Sequence, residues 1–191
     1  MRKIFLALLT FSVLAIACNE QKNETTETTT VNTPAPESTM DETGTQKLMS
    51  VLVDYYGLKD ALVASNGQKA DEAMTHLSAD LDSFQAYLVN DTINKMILNA
   101  NIEAIQVAGR ELLEVPADGT EVKRVHFEKI SDAMYAILKK VELQNASVYR
   151  QYCPMAFDDK GAYWLSNEDE IKNPYFGKKM LECGEVTDSL K

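Results

Sequence analysis

The chain has 191 residues, enough for one domain of ordinary size and a short additional segment. Lys and Arg total 19 against 29 Asp and Glu, so the formal net charge is −10. Contacts with phosphates need clustered Lys and Arg, and this acidic chain has no basic stripe, which excludes a general nucleic-acid binder. Hydrophobic residues make up 45% of the chain, a fraction that predicts a buried core.

The first residues have the pattern of a secretory signal. Arg2 and Lys3 precede an apolar run over residues 4–17, which is too short to span a bilayer as a helix. We expect residues 1–17 to be removed. The small residues directly before Cys18 resemble the lipobox of bacterial lipoproteins, although Ala15 stands where Leu is usual. This resemblance implies lipidation of Cys18, and the alternative is an ordinary cleaved signal followed by an unmodified cysteine.

The next segment, residues 18–45, is rich in Thr, Glu, Asn and Pro and has few large apolar residues. Such a composition cannot bury enough surface to offset the entropy of ordering the chain. We therefore expect a disordered tether over residues 18–45 and a folded domain over residues 46–191.

Four segments of the folded domain carry apolar residues at helical spacing. We expect the first from Gln46 to near Ser65, the third from near Asp91 towards Leu112, and the fourth from a cap at Asp118 or Thr120. The second has the clearest pattern, which steps by four and three residues through Ala70, Met74, Leu77, Leu81, Phe84 and Leu88. The third is predicted to bury Ile93, Ile97, Ala100, Ala104 and Ala108. The fold class predicted from these segments is all-α, an antiparallel up-and-down four-helix bundle.

The C-terminal segment, residues 147–186, loses this spacing and gains aromatic residues, Gly and Pro. It contains the only Trp and two of the three Cys. Residues 148–149, Tyr152 and residues 162–165 suit short extended pieces, and residues 158–161 and 173–174 suit turns. We expect an irregular, partly extended segment that packs on the bundle.

Several strings of residues resemble a bacterial domain of formally unknown function. The strings are Tyr55-x-x-Leu58-Lys59-Asp60, Arg124-x-His126-Phe127, Gln151-Tyr152-Cys153-Pro154-Met155, Gly161-Ala162-Tyr163-Trp164 and Asn173-Pro174-Tyr175-x-Gly177-x-x-Met180-x-x-Cys183-Gly184. That domain occurs in small lipoproteins and as the C-terminal module of periplasmic adaptor subunits of copper/silver-type efflux pumps. The resemblance covers roughly residues 48–186 and implies the handling of a metal.

Four sulfur-bearing side chains are candidate ligands for a soft metal ion. Cys153 lies two residues before Met155, and Met180 lies three residues before Cys183. Thiolate and thioether ligands favour Cu(I) or Ag(I), whereas zinc sites rarely use Met. His126 is a further candidate ligand, in the Arg-x-His-Phe string of the fourth helix.

A disulfide between Cys153 and Cys183 is the alternative, because an oxidising compartment favours it. By closing the loop between the two cysteines, this disulfide would stabilise the fold by roughly 3.5 kcal/mol on a chain-entropy basis. The two states exclude each other, since a disulfide has no thiolate. With the disulfide, the chain is expected to be a structural or protein-interaction lipoprotein.

The sequence contains none of the motifs that would predict an enzyme, such as Cys-x-x-Cys, His-Glu-x-x-His or Gly-x-Ser-x-Gly. We therefore expect a binding lipoprotein of the cell envelope whose domain faces the periplasm. Asn19, rather than Asp, follows Cys18, which favours the outer membrane. The expected partners are the membrane, through the anchor, and an efflux adaptor or metallochaperone.

Overall fold

The computed structural model describes residues 34–190, so the predicted signal, Cys18 and the tether up to residue 33 lie outside the described residues. Four long helices come first: α1 (Glu42–Val63), α2 (Gly67–Tyr87), α3 (Thr92–Glu114) and α4 (Thr120–Lys140). α1 packs mainly on α2, α3 packs mainly on α4, and α2 also contacts α3. The predicted antiparallel helical bundle is confirmed. Among the described residues, no helix combines the length and the apolar character needed to cross a bilayer.

Side-chain hydrogen bonds explain where three of the four long helices begin. The Oδ1 atoms of Asp41, Asn66 and Asp91 accept backbone N–H groups at the starts of α1, α2 and α3. α4 starts after Gly119 and has no side-chain cap, so the predicted caps at Asp118 and Thr120 are wrong. The chain turns tightly there, and the N–H groups of Val122 and Lys123 bond to the Gly119 carbonyl instead.

The N-terminal boundary of the domain lies earlier than predicted. α1 starts at Glu42, four residues before the expected start at Gln46, because Asp41 caps it. The preceding residues also contact the domain, since Thr39 N–H donates to Val141 O at 2.8 Å and Met40 is buried. The predicted tether, residues 18–45, is therefore too long at its C-terminal end.

The burial of side chains confirms the predicted buried face of α2, whereas the buried face of α3 differs from the predicted one. All six predicted residues are fully buried, five within α2 and Leu88 directly after its last residue. In α3 the expected Ile93 is 71% exposed, and the neighbouring Met96 is 77% exposed. The buried face of α3 is formed by Leu98, Ile102, Ile105, Ala108 and Leu112, so Ala108 was predicted correctly, Ile97 is partly buried and the remaining predicted residues are exposed. The observed face also has helical spacing, and its side chains are larger than those of the Ala-rich face that was predicted.

The C-terminal segment forms a small antiparallel sheet of β1 (Val148–Cys153), β2 (Ala162–Ser166) and β3 (Glu185–Leu190), in the order β2-β1-β3. The first two strands match the predicted extended pieces, whereas β3 was not predicted. Residues Ala156–Asp159 form a turn between β1 and β2 in which Phe157, Asp158 and Asp159 have positive φ. A 3₁₀ turn covers Gly177–Lys179.

Two buried side chains of the bundle join this sheet segment to the helices. Tyr55 Oη bonds to Ser131 Oγ at 2.7 Å and accepts the N–H of Leu165, on β2, at 3.0 Å. Arg124 donates to the carbonyl oxygens of Pro174 at 2.7 Å and Leu62 at 3.0 Å. The C-terminal segment therefore packs on α1 and α4 at defined hydrogen bonds, as well as through its apolar residues.

Candidate functional site

The two cysteines of the C-terminal segment lie side by side at one end of the sheet. Cys153 is the last residue of β1 and is fully buried, and Cys183 lies two residues before β3 and is half-buried. A hydrogen bond between the two side chains is among the causes that shift the pKa of Cys183. Both cysteines are free thiols. The structure therefore brings together two of the predicted ligands without joining them covalently.

Gly184 allows the backbone after Cys183 to pass close to the sheet. Its φ of +150° is one that residues with a side chain rarely adopt. A Cβ atom at this position would lie 2.8 Å from Trp164 Cη2 and 2.9 Å from the carbonyl oxygen of Tyr152. A glycine is thus required for Cys183 to approach the end of β1.

Two fully buried amides hold the long connection between β2 and β3. Gln151 Nε2 donates to the carbonyl oxygens of residues 168–170 at 2.9 to 3.3 Å. Asn173 Nδ2 donates to the carbonyl oxygen of Cys183 at 2.7 Å. Sequence reasoning missed both roles: Gln151 and Asn173 were noted in the strings that carry the family resemblance, but hydrogen bonds to distant backbone groups leave no local signal in the sequence.

The thiol of Cys183 is poorly ionised in this environment. Burial is the largest cause that raises the pKa of Cys183 to about 11, followed by the hydrogen bond and the charge of Cys153. A backbone hydrogen bond from Met155 acts in the opposite direction. Because the thiolate is the metal ligand and the nucleophile, Cys183 must lose its proton before it can act as either.

The two predicted methionine ligands lie in the same part of the molecule. Met155 contacts the Cys183 sulfur through its backbone N–H, and its side chain is 46% exposed. The Met180 carbonyl accepts the N–H of Cys183 at 3.1 Å, and Met180 is half-buried. These are backbone contacts, so the positions of the two thioether sulfurs as ligands stay a prediction.

His126 has a different neighbour. Its Nδ1 lies 3.0 Å from Glu111 Oε2 on α3, and Lys129 bonds to the same carboxylate oxygen at 3.0 Å. Among residues 34–190, no group of three or more His, Cys, Asp and Glu side chains is arranged to hold a metal ion. A metal ion that requires three or more ligands would therefore need further ligands besides Cys153 and Cys183.

Comparison with known proteins identifies the helical part of the chain. Residues 51–146, about half of the chain, match the model of a protein family described as "Protein of unknown function (DUF3347)". The chain belongs to this family. The matched DUF3347 region extends from within α1 to just beyond α4 and ends before β1. The two neighbouring cysteines thus lie on the segment that follows the match.

No curated protein and no solved structure matches the chain significantly. The family model supports a domain of unknown function and carries no statement about a ligand.

Proposed function

We propose that this protein is a lipid-anchored, non-catalytic protein of the cell envelope that binds Cu(I) or Ag(I) through Cys153 and Cys183. It would buffer the metal ion or transfer it to an efflux system. The observation that carries the proposal is the adjacency of these two free cysteines. Paired thiolates are soft donors and suit soft monovalent ions.

Met155 and Met180 support the choice of a soft metal over zinc. Thioether sulfur is a ligand that zinc sites rarely use, whereas Cu(I) accepts it readily. Met155 is 46% exposed, so its side chain is free to rotate towards an ion beside Cys183 without unpacking the core. We propose that the two methionines complete the coordination of an ion held by the thiolates.

The proposed location and partners rest on the sequence. The lipobox-like residues before Cys18 support an anchor in the membrane, with the outer membrane favoured and the domain facing the periplasm. The family resemblance supports an efflux adaptor or metallochaperone as partner. The partial exposure of Cys183 is consistent with transfer, because a partner's ligand must reach the ion before the protein releases it.

The proposal is tested by anaerobic Cu(I) titration of the reduced full chain carrying Cys18→Ser, in competition with a chromophoric Cu(I) chelator. Trp164, the only tryptophan, lies against Gly184 and should report binding by a change in fluorescence. Cys153→Ser or Cys183→Ser should abolish tight binding. Met155→Leu and Met180→Leu should weaken it, since Leu keeps nearly the same volume and lacks the sulfur.

Met96→Leu is the matched control, because Met96 is exposed on α3 and should leave the Cu(I) affinity unchanged. His126→Gln tests whether the fourth helix contributes a ligand, and a parallel Zn(II) titration tests selectivity. Equal Cu(I) affinities of the wild type and the Cys153→Ser/Cys183→Ser double variant would refute the metal site.

A structural disulfide is the second candidate, and the same adjacency of the cysteines supports it. The protein would then be an interaction or scaffold lipoprotein of the envelope. Alkylation of the protein, isolated from cells without reductant, separates the two candidates. In the unfolded protein with a Cu(I) chelator present, complete resistance of Cys153 and Cys183 before reduction favours the disulfide, and labelling of both favours the metal site.

A further inference from the structure

Both polar side-chain atoms of Asn173, Nδ2 and Oδ1, form hydrogen bonds within the segment that carries Cys183. The residue is fully buried. Its Nδ2 donates to the carbonyl oxygen of Cys183 at 2.7 Å. Its Oδ1 accepts the N–H groups of Tyr175 at 2.8 Å and Phe176 at 3.3 Å. A single amide therefore connects the start of this segment to its end.

The backbone of Asn173 strengthens the same connection. Its N–H donates to the carbonyl oxygen of Leu181 at 2.8 Å, and its carbonyl oxygen accepts the N–H of Gly177 at 3.0 Å. Close to Cys183, the chain is thus attached to Asn173 both at Leu181 and at Cys183 itself. Only one side-chain torsion separates the backbone of a cysteine from its sulfur, so a fixed backbone leaves few positions for the thiol.

We propose that Asn173 is a positioning residue that holds Cys183 against Cys153, and that its Nδ2 hydrogen bond to the Cys183 carbonyl is the contact responsible. For metal binding this inference rests on the proposed function. The inference about the proximity of the two sulfurs does not rest on the proposed function, because that proximity can be measured without a metal.

Two substitutions remove this hydrogen bond and keep the acceptor on which Tyr175 depends. In Asn173→Ser the hydroxyl can accept the Tyr175 N–H in the same kind of turn, but it is too short to reach Cys183. In Asn173→Asp the donor is replaced by a second acceptor. Asn66 provides the matched controls, because its Oδ1 caps α2 by accepting the Lys69 N–H at 3.0 Å. Ser and Asp cap helices as well as Asn does, so Asn66→Ser and Asn66→Asp should be neutral.

The measurement is the equilibrium between the thiol pair and glutathione in the full chain carrying Cys18→Ser. Two electrons and two protons pass from Cys153 and Cys183 to glutathione disulfide, which gives one protein disulfide and two glutathione thiols. The fraction oxidised reports the effective concentration of one thiol at the other. We expect about a tenfold decrease in both Asn173 variants, the factor that one hydrogen bond typically supplies, and no change in the Asn66 variants. Thermal unfolding of Asn173→Ser should remain cooperative.

An unchanged glutathione equilibrium in Asn173→Ser would overturn the inference, as would an equal decrease in the Asn66 variants. Loss of cooperative unfolding in Asn173→Ser would also overturn it, because Asn173 would then belong to the general fold. Cu(I) competition on the same proteins separates this inference from the proposed function. A tenfold decrease without Cu(I) binding by the wild type refutes the metal site alone, and Cu(I) binding with an unchanged equilibrium refutes the positioning role alone.

Discussion

Cys183 is the half-buried thiol of the pair, and its protonation limits what the pair can do. Burial and Cys153 raise the pKa of Cys183 to about 11, so the neutral thiol is the dominant form at pH 7. A soft metal ion bound there must displace this proton. Binding is therefore expected to release protons and to become tighter as the pH rises.

Replacing Cys153 by Ala should accelerate the alkylation of Cys183 at pH 8. Cys153 raises the pKa of Cys183, so its removal lowers that pKa and increases the thiolate fraction. We expect an increase of several-fold in the rate with iodoacetamide, measured from pH 7 to pH 11 in the Cys18→Ser background. Free glutathione calibrates the reagent at each pH. A rate at pH 8 equal to or below that of the parent would contradict the assignment.

Helix α2 contributes a continuous apolar face to the core of the bundle. Its six buried residues recur at steps of four and three, so they form one continuous apolar face against the other helices. Leu81 lies in the middle of this face and is fully buried. A charged side chain at that position would have neither an oppositely charged partner nor water to solvate it.

We predict that Leu81→Asp unfolds the domain, because an unpaired buried charge costs more than a domain of this size can tolerate. Ala79→Asp, at an exposed position of the same helix, should remain folded. Circular dichroism at 222 nm during thermal unfolding distinguishes the two proteins. A cooperative transition in Leu81→Asp close to that of the wild type would disprove the buried face.

The register of α3 can be tested in the same way. Leu98→Ala should reduce the free energy of unfolding by about 2 to 5 kcal/mol, because Leu98 is fully buried. Met96→Ala should change it by less than about 0.5 kcal/mol, because Met96 is 77% exposed. Urea unfolding provides both values. The reverse order of the two costs would favour the face that contains Ile93 and Ile97.

At the scale of the molecule, the C-terminal segment and the bundle form one structure. Arg124 is almost fully buried and bonds to the carbonyl oxygens of Leu62 and Pro174 and to Ser65 Oγ. Its guanidinium therefore links α4, the end of α1 and the segment that carries Cys183. The thiol pair depends on the bundle as its support, although the two cysteines belong to the final third of the chain.

The N-terminal boundary gives a prediction at this scale. Deleting residues 19–32 should leave the melting temperature unchanged, because that composition cannot support a core. Extending the deletion to Thr43 should lower it by several degrees, because it removes the Asp41 cap, worth about 1 kcal/mol, and the buried Met40. Differential scanning calorimetry of both deletions provides the comparison. Equal melting temperatures would mean that residues 33–43 contribute nothing to stability.

The sequence by itself determined the four helices, because apolar spacing and turn residues act over a few residues along the chain. α2 was predicted with its buried face, and β1 and β2 were predicted near their observed positions. Cys153 and Cys183 could be identified as candidate ligands from their chemistry alone, and their pairing stayed open.

The tertiary structure showed that α3 is buried through Leu98, Ile102 and Ile105 and not through Ile93, because these large apolar side chains lie on the face that packs on α4 and α2. β3 was missed because Glu185–Leu190 is mostly exposed and gains its strand form by pairing with β1. The contact of Cys183 with Cys153 likewise depends on contacts between residues that are not adjacent in sequence. Gly184 lies against Trp164, and Asn173 Nδ2 donates to the carbonyl oxygen of Cys183, ten residues later in the chain. Hydrogen bonds between distant residues leave no periodic signal, so the sequence supplied the two thiols and the fold brought them together.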